Sequence, residues 1–93
     1  MPESPLAAIA VTVHGRVQGV FFRDSCQQEA HDVGASGWIT NQVDGTVSAV
    51  FEGTREAVDH MVQWARAGPP HADVDSVETA PVDPRGLTSF AVR

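Results

Sequence analysis

Lysine is absent from the chain: its six cations are all arginines, set against twelve aspartates and glutamates, for a formal net charge of −6. A surface that acidic repels phosphate backbones and anionic lipid, so binding to nucleic acid or to a membrane is not expected. An anion that does bind must find a local positive spot within an unfavourable general field. Cysteine is nearly absent too. Cys26 stands alone, which rules out an internal disulfide and a cysteine-based zinc site. His14, His31, His60 and His71 fall into no metal-ligand spacing with nearby acids, so no metal and no other cofactor is expected. Long apolar runs are missing, and with them any membrane-spanning helix. Residues 1–5, Met1-Pro2-Glu3-Ser4-Pro5, carry an acid and two prolines rather than a basic stretch leading into a hydrophobic one. They read as a short flexible arm, not a secretory leader, and the cytoplasm is the expected location.

What is present is an ordinary globular composition, 42% hydrophobic and 19% charged over 93 residues. Residues 6–93 suit one domain with a core that needs no disulfide or metal. Ile9, Val11 and Val13 alternate with smaller or polar residues, the period of a strand over Leu6 to Val13. Phe22, Cys26, Ala30 and Val33 then fall on one stripe, which predicts a helix over Asp24 to Val33 with Gly34 just past its end. Gly37 to Gln42 and Thr46 to Phe51 read as two strands joined by a hairpin at Asp44-Gly45, a pair suited to a tight turn with positive φ. Thr54 is placed to cap a second helix whose stripe includes Ala57, Met61, Trp64 and Ala65; Gly68-Pro69-Pro70 stops it. A fourth strand is expected over Asp73 to Pro81, a turn at Asp83-Pro84-Arg85-Gly86, and a short last strand over Ser89 to Arg93. The order βαββαβ with an added strand predicts an α+β fold. Two helices cover one face of a mostly antiparallel sheet in a two-layer sandwich.

Gly15-Arg16-Val17-Gln18-Gly19-Val20-Phe21-Phe22-Arg23 joins the first strand to the first helix. Such a loop can turn backbone N–H groups inward as an anion-binding nest, helped by the helix N-terminus. Arg23 on the first turn could close on a phosphate with a planar fork of donors. The same residues also fit a plain glycine-containing turn with solvated arginines. Asn41 ends the second strand on the face of Ile39, toward the helices and so toward Arg23. Its amide could hold a water beside a bound phosphate, or merely open the hairpin turn. Cys26, on the apolar stripe, reads as a buried thiol; Arg16 could add positive potential at the rim of the loop or pair with a surface acid, the second being the favoured reading.

These segments together resemble the acylphosphatase family. The resemblance rests on the nine-residue loop Gly15 to Arg23, on Gly37-Trp38-Ile39-Thr40-Asn41, and on Asp44-Gly45-Thr46-Val47. It extends through Gly68-Pro69-Pro70 to Phe90. It implies a ferredoxin-like fold and hydrolysis of acyl phosphates to carboxylate and inorganic phosphate. By that analogy Arg23 and Asn41 are catalytic, Arg23 binding the phosphate and Asn41 orienting the attacking water. The backbone N–H groups of Gln18, Gly19, Val20, Phe21 and Phe22 cradle the phosphoryl oxygens. The implied partners are a small acyl phosphate as substrate and inorganic phosphate as product or inhibitor, on a protein expected to be a monomer. A non-catalytic anion-binding domain of the same fold is the alternative. An RNA-binding domain of the same element order is disfavoured by the charge and the few aromatics.

Overall fold

The computed structural model describes residues 6–93; the arm expected over residues 1–5 lies outside the described residues. Along the chain run β1 (Ala7–Arg16), α1 (Phe22–Val33), β2 (Ser36–Asn41), β3 (Val47–Gly53), α2 (Arg55–Ala67), β4 (Asp73–Pro81) and β5 (Phe90–Val92). The five strands form one sheet in the order β4-β1-β3-β2-β5. All neighbours pair antiparallel except β5, which adds parallel to β2.

Alternation decides which side of each strand is buried. Val11 and Val13 of β1, Ile39 of β2, and Val47, Ala49 and Phe51 of β3 point at the helices and are buried. Cys26 and Ala30 of α1 and Met61 and Ala65 of α2 meet them in one core. Burial, and secondarily the Glu29 carboxylate nearby, push the Cys26 thiol far above its usual pKa, so it stays protonated. Thr54 caps α2, its hydroxyl accepting from the Ala57 amide at 3.2 Å. α1 closes on Gly34, whose N–H donates to Ala30 and His31 carbonyls.

Three segments depart from the sequence reading. β1 continues past Val13 to Arg16, because the register against β4 shifts between His14 and Gly15. Gly15 sits at φ 125°, where a Cβ would lie 2.1 Å from the Asp73 carbonyl oxygen, so only glycine allows the strand to bend there. The β2–β3 hairpin is not a two-residue turn with both central residues at positive φ. Only Gly45 has positive φ, and the Gly45 amide donates to the Gln42 carbonyl while Gln42 donates to Thr46. That is a three-residue loop. Asp44 stabilises it by accepting from the Thr46 hydroxyl at 2.7 Å and the Thr46 amide at 3.0 Å, bonds that hold its carboxyl below the usual aspartate pKa. Lastly, residues 82–88 form no regular turn. Glu52, buried in β3, accepts from the Arg85 amide at 2.7 Å and the Leu87 amide at 2.8 Å. A carboxylate with acceptors to spare takes the place of the local hydrogen bond that a turn would need.

Candidate active site

β1 and β2 both run antiparallel to β3 and therefore parallel to each other. Their C-terminal ends share one edge of the sheet, where Val47 is opposite Val13 on one side and Asn41 on the other. Asn41 thus lies two strand spacings, about 10 Å, from the end of the buried run of β1. The loop after β1 crosses that gap to reach α1.

The loop is held by what its side chains do. Val17, Val20 and Phe22 are buried in the core, Phe22 meeting Trp64 edge-on with ring centroids 5.2 Å apart. Gln18 points to the hairpin, its amide nitrogen donating to the Gln42 carbonyl at 2.7 Å and the Thr46 carbonyl at 2.9 Å. With the side chains so committed, the backbone faces the other way. Gly19 (φ 73°) and Phe21 (φ 63°) are left-handed while Val20 between them is not. Alternating handedness of this kind turns successive N–H groups to one side as a nest. Among the described residues, none of the N–H groups from Gln18 to Phe22 donates to a protein acceptor.

A cleft of about 380 Å³ opens where loop, helix and strand meet, lined by Val17, Gly19, Phe21, Phe22, Arg23, Asp24 and Asn41. Arg23 and Asn41, eighteen positions apart in sequence, face the same space. Arg23 is half-buried, its Nη1 directed to the Arg93 carbonyl at 3.4 Å. The Thr40 hydroxyl donates to the same carbonyl at 3.2 Å, so the end of β5 helps to orient the guanidinium. The Asn41 Oδ1 is buried and has no hydrogen-bond partner among the described residues. A buried amide oxygen left unpaired is costly in a protein interior, and such atoms gather where a site has a use for them. Gln18 and Val20, expected in the cradle, are not among the residues that line the cleft.

The other sequence candidates fall away from this place. His14 pairs with Glu78 at 2.6 Å and His60 pairs with Glu29. Arg16 is exposed on β1, outside the cleft, and no carboxylate lies within ion-pair distance of it among the described residues, against the surface pair expected. Among the described residues no three of histidine, cysteine, aspartate and glutamate converge as a metal-holding group. A second, larger cleft of about 460 Å³ adjoins the first at Asp24 but contains neither Arg23 nor Asn41. Sequence reasoning missed the Gln18 clamp, the Arg93 carbonyl and the conformation of Phe21, none of which leaves a mark in residue type alone.

A family model described as acylphosphatase matches residues 9–92. The chain belongs to the acylphosphatase family. It is 48% identical over 92 residues to an acylphosphatase of Trichormus variabilis, covering 99% of this chain and 91% of that one. Among solved structures, an acylphosphatase from Coxiella burnetii superposes with a TM-score of 0.91 at 36% identity, over 95% of this chain and 93% of that one. The Bacillus subtilis acylphosphatase does so with a TM-score of 0.90 at 31% identity, over 96% and 99%. The two-layer sandwich expected from the element order and the ferredoxin-like fold implied by the resemblance are both found in this chain, which shares its fold with these acylphosphatases. The protein is an enzyme, an acylphosphatase, and its substrate is an acyl phosphate. No helix of the described residues is long and apolar enough to cross a membrane.

Proposed function

We propose that the enzyme cleaves its substrate by direct attack of water on phosphorus, with no metal and no covalent intermediate. The phosphoryl group rests on the N–H groups of Gln18 to Phe22 and on Arg23, and Asn41 positions the water. The observation that supports this reading is that Asn41, whose buried Oδ1 has no hydrogen-bond partner among the described residues, lines the same cleft as Arg23 and the loop.

Phosphoryl transfer asks the protein mainly to position reactants and to stabilise charge on the equatorial oxygens. A guanidinium, a nest of N–H groups and the N-terminus of α1 supply that charge stabilisation. The leaving group is a carboxylate, stable without protonation, so no general acid is needed. Nor can Asn41 act as a base. Its Oδ1 accepts one water hydrogen and leaves an oxygen lone pair toward phosphorus. The new bond joins the water oxygen to phosphorus, the bond between phosphorus and the acyl oxygen breaks, and a phosphate oxygen takes up the water's proton. Inorganic phosphate, the product, fits the same cradle and competes with substrate. One chain supplies every residue named, which favours action as a monomer.

Hydrolysis of acetyl phosphate in water enriched in heavy oxygen tests the scheme, with a strong chelator present. The label is expected in inorganic phosphate and not in acetate, at a rate the chelator does not change. Label in acetate would move the attack to the acyl carbon, and loss of rate with chelator would show a metal requirement.

A further inference from the structure

We propose that the Phe21 side chain is the acyl-group contact of this enzyme and biases it toward phosphates of flat, apolar acids. The proposal rests on the phosphate position argued above and names the class of acyl group that extends from it.

Among the described residues Phe21 is the only non-glycine with positive φ. Bulky residues avoid that region, and those that occupy it cluster at functional sites. Packing does not explain the choice. Val20 and Phe22 on either side are 4% and 2% exposed, whereas Phe21 is 74% exposed. The loop therefore holds a strained backbone and leaves an aromatic ring in water, two costs with no return inside the fold.

The ring stands at the cleft. Its lining divides into a buried part, with Val17 and Phe22, a half-buried part, with Arg23 and Asn41, and an exposed part made of Gly19, Phe21 and Asp24. In-line displacement sets the leaving group opposite the attacking water. With water held on the Asn41 side, the acyl group departs toward the exposed part. Gly19 has no side chain there and Asp24 repels a negative acyl group, so the Phe21 ring is the apolar surface that remains. At about 380 Å³ the cleft lies in the range of small-molecule sites, with room beyond the phosphate.

The test compares kcat/KM for benzoyl phosphate and acetyl phosphate in the wild type, Phe21→Gly and Phe21→Leu. The readout is the ratio of the two substrates, so that any change in the cradle common to both cancels. We expect the benzoyl-to-acetyl ratio to fall about tenfold in Phe21→Gly and by less in Phe21→Leu, the scale of one aromatic contact. Glycine accepts the left-handed conformation, so Phe21→Gly should melt no lower than wild type, which shows that the loss is not unfolding. A ratio within about twofold of wild type in Phe21→Gly would overturn the proposal, because a ring that touches the acyl group cannot be removed without effect. A wild type inert toward both acyl phosphates would instead overturn the parent reading of the site.

Discussion

Arg23 is the one cation among the described residues that line the cleft, so the phosphate binding proposed here depends on its chemistry. Its planar fork can donate two parallel hydrogen bonds while the Arg93 carbonyl holds the other side of the group. Lysine at that position keeps the charge and loses both the fork and the tether. Arg23→Lys is therefore expected to lower kcat/KM by about a hundredfold and to weaken inhibition by inorganic phosphate about tenfold, read by steady-state kinetics. Near-normal inhibition would mean that the N–H groups alone hold the phosphate. Residue type made Arg23 and Asn41 candidates, since few residues can fork onto a phosphate or place a water without being ionised, and the structure sets both on one cleft. It could not reveal Phe21, whose meaning lies in its φ and exposure, properties set by the residues around it.

Elements were legible where one local signal dominates. The alternation in β3, the Thr54 cap of α2 and the glycine after α1 each predicted their structure closely. The misses share a cause: the deciding partner is distant in sequence. β1 runs on past Val13 because β4 offers it a partner as far as Asp73. The segment 82–88 crosses the sheet without a regular turn because Glu52, more than thirty positions earlier, supplies its acceptors. That carboxylate is 2% exposed, and its removal leaves two amide groups without their acceptor. Glu52→Ala should lower unfolding free energy by about 3 kcal/mol in urea titrations, the scale of hydrogen bonds to a charged group together with their burial. A change under about 0.5 kcal/mol would show that the segment is held by something else.

At the scale of the molecule, the site exists only because of strand order. Neither the loop after β1 nor the end of β2 holds a complete site. β3, antiparallel to both, brings their C-terminal ends to the same edge and sets Asn41 across from the nest. The order βαββαβ was readable from punctuation and periodicity, and with it the meeting of Arg23 and Asn41. Which atoms stay unpaired at that meeting was not, because satisfaction of an amide is a property of all its neighbours. The division of labour we propose for this assembly is that the loop and helix bind and the strand end brings the water. It is tested most directly by pairing calorimetric titration of inorganic phosphate with single-turnover acetyl phosphate hydrolysis in Asn41→Ala. The expected result is phosphate affinity within about twofold of wild type and a hydrolysis rate lower by about a hundredfold or more. Hydrolysis at the wild-type rate, or loss of phosphate binding in step with activity, would contradict it.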